Sequence, residues 1–162
     1  MSGTFTAATG EGPPPPGTPE AADQRSREVR AALEGLLQIR RLTHRQGGGD
    51  PAAHPAEWEL RQPVRAVALA LEAAKQPPSA VDAAGTRVAT GYRVTPGERP
   101  GTTVVGWVGP PGSGAAHQAD TALTACAEAL APLGWDALLY RGPGHRRYLE
   151  VEPAGPPRRV PG

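Results

Sequence analysis

Between residues 102 and 134 a strand signal passes into a helix signal across a single loop, and that change of period limits the architectures open to the chain. Residues 102–108, TTVVGWV, are β-branched and apolar, a composition that fits a pleated, half-buried surface. Residues 109–114, GPPGSG, break regular structure. An Ala-rich run from about 115 to 131 then places Ala119, Leu123, Cys126 and Leu130 at spacings of three and four, which is one apolar stripe on a helix. Pro132 and Gly134 end it. A helix with a single stripe must bury it against something, so the flanking segments decide the fold.

Both flanks read as hairpins. Upstream, Val88, Thr90, Tyr92 and Val94 alternate with Arg87, Ala89, Gly91 and Arg93, the period of a strand with one buried face, and residues 95–101 form a turn-rich loop before the next strand. Downstream, residues 135–141 and 146–152 are two further strands joined by the tight connection of Gly142, Pro143 and Gly144. Two hairpins linked by one helix predict a ββαββ unit over residues 87–152: a four-stranded, mainly antiparallel sheet with the helix across one face, in two layers. A core of about 70 residues buries only about 60% of its unfolded surface. A partner, a second copy or the N-terminal helices must add to it.

The N-terminal half is helical. Thr18 is a candidate N-cap, Pro19 suits the first helical position, and Val29, Leu33, Leu36 and Leu37 form a stripe that continues to Arg40. A second helical region over 55–75 carries Val64, Val67, Ala68 and Leu71 and is kinked at Pro63, which cannot donate an i→i−4 bond. With Trp58 and Leu60 packed on the first helix, residues 20–76 predict a helical hairpin, and 77–86 a linker. Residues 1–19, with PPPP at 13–16, and residues 153–162 are expected to be disordered Pro/Gly-rich tails, because their apolar content cannot offset the entropy of ordering. The α+β class therefore rests on residues 20–76 and 87–152.

Charge narrows the function. The net charge is +1, but residues 21–46 and 141–162 each carry a surplus of three. Arg40, Arg41 and Arg45 crowd the end of the first helix, and Arg141, Arg146 and Arg147 stand beside Tyr140 and Tyr148. The helix end can form a phosphate-contacting patch, and arginine interleaved with aromatics at the hairpin tip can contact phosphates and stack on bases, so these six are the candidate nucleic-acid contacts. The simpler readings are cations at the negative end of a helix dipole and a charged hairpin tip that guards a sheet edge. One cysteine, Cys126, excludes an internal disulfide and sits on the helix stripe as a small hydrophobe. No run approaches the ~18 apolar residues of a membrane span. The start lacks the basic and apolar regions of a signal peptide, so cytoplasm is the expected compartment.

Catalytic and metal chemistry find little support. His44, His54, His117 and His145 have no cysteine or carboxylate at ligand spacing, and no metal site is expected. Ser113, Asp136 and His145 follow the order of a hydrolase triad, but a nucleophile elbow needs glycines where Pro111 and Ala115 stand. Residues 109–114 resemble the phosphate-binding loop of nucleoside triphosphatases, G-x-x-x-x-G-K-[ST], with Gly109 and Gly114 at the right spacing. Ala115 and Ala116 occupy the lysine and hydroxyl positions, so the groups that would hold the γ-phosphate and magnesium are missing. Gly109, Gly112, Ser113 and Gly114 remain as a candidate anion-binding turn at a helix N-terminus. No cofactor is expected. The expected function is a non-enzymatic accessory or interaction protein acting by protein–protein contact or self-association. The alternatives are a nucleic-acid-binding accessory protein and a non-catalytic phosphate or nucleotide binder at this turn.

Overall fold

The structure is a computed structural model, and it describes residues 5–44 and 49–155, the side chain of His145 excepted. Helix α1 spans Pro19–Thr43, with the Thr18 hydroxyl accepting a hydrogen bond from the Ala21 N–H at 3.1 Å and Pro19 at the first position. Two helices follow, α2 (Glu57–Arg61) and α3 (Pro63–Ala73), separated at the proline as its missing N–H requires. Helix α4 covers Ala115–Leu130.

Strands β3 (Gly91–Pro96), β4 (Thr103–Val108), β5 (Trp135–Arg141) and β6 (Arg147–Pro153) follow two short strands, β1 (Ala80–Val81) and β2 (Arg87–Ala89). The four longer strands form one antiparallel sheet in the order β3-β4-β6-β5. The fold is α+β, with helices and a four-stranded antiparallel sheet as the change of period predicts.

One face of the sheet is covered. Tyr92 and Val94 of β3, Thr103 and Val105 of β4, Leu149 and Val151 of β6, and Trp135 of β5 are buried there against Ala119, Leu123, Cys126 and Leu130 of α4, the four stripe positions. Helix α4 does not cover this face alone. Helix α3 lies beside it, touching β3 and β4 as well as α4, and α1 packs on α3. The six residues Ala66 to Leu71 are all buried, because α3 has neighbours on every side, where the sequence predicts one stripe. Val29 and Leu36 of α1 belong to the same hydrophobic cluster as Val105 and Leu149, so the helical hairpin and the sheet share one core.

Three segments differ from expectation. The strand predicted over 87–94 divides at Thr90, where the chain leaves the sheet: β2 pairs with β1 in a separate two-stranded ribbon, and Val88 is exposed. Strand β1 lies in the predicted linker over 77–86 and is too short to show a period. Residues 5–12, expected within a tail, run along the outer edge of β3. There the Thr9 carbonyl accepts from the Val94 N–H at 2.7 Å, and the Gly12 carbonyl from the Val81 N–H at 2.9 Å. Side chains pin this strap. Arg25 makes a two-point contact with Glu72 (2.6 and 2.7 Å) and donates to the Thr6 carbonyl, Glu72 accepts from the Ala8 N–H, and Arg25 stacks over Phe5. Gly10, at φ +93°, is obligatory: a Cβ there would lie 2.4 Å from the Tyr92 carbonyl oxygen. Of the tail expected over 153–162, residues 156–162 lie outside the described residues, as do residues 1–4.

Candidate functional site

Two surfaces could act. The first is a cleft of about 660 Å³ where β4 and β6 part company. Their ladder ends at the pair Gly106–Tyr148. Beyond it, the turn of Gly109, Pro110, Gly112, Ser113 and Gly114 rises on one side and Gly142 and Pro143 on the other, and both line the cavity. Gly109, Gly112, Ser113 and Gly114 all face it, with Arg146 and Arg147 across from them. The fold thus brings together a glycine turn and two arginines that lie more than 30 positions apart in the chain.

Local chemistry builds the turn. Gly114 caps α4 at φ +78°, a left-handed conformation that a side chain would strain, and Ser113 Oγ accepts weakly from the Ala115 N–H at 3.4 Å. The arginines are unequal. Arg147 forms an ion pair with Asp120 of α4, whereas Arg146 is exposed and has no acidic partner among the described residues. Glu98 and Glu150 also line the cleft, and Glu150 is paired with Arg99. The cavity therefore carries both signs of charge, with its basic side at Arg146.

The other sequence-predicted contacts lie elsewhere. Arg141 is exposed at the far end of β5, cross-strand from Arg147, and does not line the cleft. Arg40 is not a surface cation. It is 1% exposed, and its guanidinium binds Glu59 at 2.6 and 2.8 Å and also donates to the carbonyls of Ala52 and Leu133. Four of its five N–H donors are spent inside the protein and the side chain is buried, so it is unavailable to a phosphate. Arg41 is exposed, and Arg45 lies outside the described residues. Arg40 sits beside Leu133, next to the start of β5, while Arg141 ends that strand about 20 Å away at the usual rise. Among the described residues, Arg40 does not share a basic patch with Arg141.

The second surface is an open edge of the sheet. Strand β5 is one of the two outer strands of the sheet, and Leu138, Leu139 and Tyr140 are 58%, 43% and 41% exposed on it. Three consecutive apolar residues put apolar groups on both faces, a pattern ordinarily met in strands packed on both sides. On the open face Tyr140 stacks with Tyr148, ring centroids 5.8 Å apart. A consecutive apolar triplet was the available signal, but only strand order reveals that it lies at an edge.

Elsewhere, His44 and His54 stack at 4.7 Å, and Cys126 is wholly buried, with burial pushing its thiol up to about 11. Ser113 lines the cleft, while Asp136 is exposed near the opposite end of the sheet. No helix among the described residues is long and apolar enough to cross a membrane. No protein-family model, no curated protein and no solved structure matches the chain.

Proposed function

We propose that the chain is a non-enzymatic accessory protein of the cytoplasm that works by contact with another protein chain, through the open edge of β5. One observation carries this reading. An outer strand of seven residues presents Leu138, Leu139 and Tyr140 to solvent, and an exposed apolar edge offers both hydrogen-bonding groups and side chains to an added strand. A lone cysteine buried in the core suits a reducing compartment.

Photo-crosslinking tests it. A benzophenone amino acid at Tyr140 should trap a protein chain in cells, and the same probe at Glu34, exposed on α1, should not. Equal and negligible trapping at both positions would remove the proposal.

A second reading has its own observation, the meeting of the 109–114 turn with Arg146 in one cleft. It makes the cleft a site for a small anionic ligand, held by backbone N–H groups and a guanidinium. Phosphate or a nucleotide should then raise the melting temperature of the native protein and not that of Arg146→Ala. Nucleic acid draws less support, since Arg40 is withdrawn from the surface. A mobility shift that weakens steeply with salt and depends on Arg141 and Arg146 would restore it.

A further inference from the structure

We infer that the open face of the sheet holds the base of a nucleoside monophosphate in a slot over Gly106, with the phosphate directed to Arg146. This rests on the reading of the cleft as a site for a small anion, and it gives that ligand a chemical class. The observation behind it is a glycine that the fold does not need. Glycine inside a strand weakens it, and ordinarily marks a bulge or a close approach by backbone or ligand. The four-stranded sheet has two. Gly91 is explained by backbone, since a Cβ there would collide with the Pro77 carbonyl. Gly106 has no such cause within the chain. Its φ lies outside the left-handed region, no atom stands within 4 Å of the place a Cβ would take, and neither ladder of β4 shifts register at it.

Register builds the slot. Gly106 pairs with Arg93 of β3 and Tyr148 of β6, and their neighbours Val105, Tyr92 and Leu149 are buried under the helices, so the three share the open face. All three line the cleft, whose volume of about 660 Å³ suits a small molecule. The side chains flanking the glycine rise from strands two spacings apart, about 9.5 Å. One planar ring, at about 3.5–4.0 Å from each, occupies that width. Tyr148 offers an aromatic plane, backed by Tyr140 at 5.8 Å between ring centroids. Arg93 offers a flat guanidinium that can stack on a ring, its charge already met by Glu11. Charge orients the ligand along β6. Arg146 precedes Tyr148 and has no acidic partner among the described residues, whereas Glu150 follows it, with Glu98 of the β3–β4 loop on the same side. An anion is attracted at the first end and repelled at the second, where base amino groups can donate to carboxylates. One terminal phosphate fits that polarity. A continuing phosphate chain does not, because it would carry its charge past Glu98 and Glu150.

Calorimetric titration of the full chain with AMP, GMP, CMP and UMP, and with ribose 5-phosphate, which keeps the anion and lacks the ring, tests the slot. At least one nucleotide should bind about tenfold or more tightly than ribose 5-phosphate, the gain expected of a base stacked on an aromatic side chain. Gly106→Val should cost that nucleotide at least about tenfold in affinity by filling the slot with methyl groups, and should leave ribose 5-phosphate unaffected. The variant should fold, because the space is open and a β-branched residue suits a strand, so its ligand-free melting temperature should match or exceed the native one. Arg146→Ala should weaken every one of these ligands. Ribose 5-phosphate bound as tightly as each nucleotide, or nucleotide affinity indifferent to Gly106→Val, would overturn the slot and leave the cleft as an anion site. No binding by any of the five at millimolar concentration would overturn both. A single-stranded oligonucleotide held more tightly than each mononucleotide would overturn the choice of occupant.

Discussion

Arg40 and Glu59 are the most deeply buried ionic pair among the described residues, 1% and 0% exposed by side chain. Glu59 also accepts from the Ala56 N–H at 2.8 Å, and Arg40 reaches the carbonyls that precede α2 and β5. One guanidinium thus ties the end of α1 to two loops. Removing it leaves a buried carboxylate without its cation, so Arg40→Met should cost about 3–5 kcal/mol in urea unfolding, and the double variant with Glu59→Leu should recover much of the loss. Cys126 gives a different signature. Burial raises its thiol from 9.0 to about 11, so the folded state holds the proton more tightly than the unfolded chain. Its contribution is whole below pH 9 and is lost as the pH rises toward 11. Thermal melts at pH 8 and pH 10.5 should show a drop in the native protein that is smaller in Cys126→Ala, both compared at equal ionic strength.

At the scale of elements, the strap over 5–12 behaves as an extra edge strand that the sequence disguises as a tail. It contains few apolar residues, and its order comes from backbone bonds to β3 and β1 and from the Arg25–Glu72 clamp. Such order is local and separable. Gly10→Ala should push the strap off β3, because the added Cβ meets the Tyr92 carbonyl. Hydrogen exchange should then accelerate at the Val94 amide while that of Val105, inside the sheet, changes little. Tyr92 links the same parts from the other side: its phenol donates to the Ala8 carbonyl at 2.8 Å, and burial holds its pKa well above the usual tyrosine range.

At the scale of the whole molecule, the shared core has a direct consequence. Helix α3 supplies Val67, Ala68 and Leu71 to the same cluster as β3 and α4, so the sheet with α4 alone would expose a large apolar area. A fragment of residues 77–155 should therefore lack a cooperative thermal transition. Calorimetry that found one with a heat in proportion to its length would show that the unit folds without the helices. The periodic segments were legible in the sequence: α4 with all four stripe residues, α1 from its cap, the break at Pro63, and four strands in two hairpins. The candidate turn at 109–114 and the arginines at 146 and 147 were visible as separate features.

Periodicity and capping act over one or two turns of chain, and those interactions are written in neighbouring residues, which is why the type and extent of each long element could be read directly. Strand order, the company of α3 beside α4, the burial of Arg40 and the exposure of Leu138 to Tyr140 depend on which distant segments meet. No local pattern encodes that: an arginine at a helix end looks the same capping a dipole in water or clamped to Glu59, and LLY looks the same in a central strand or an outer one. Tertiary structure decided these because burial and pairing are properties of the assembled surface, and the two surfaces from which function is proposed, the cleft and the open edge, exist only there.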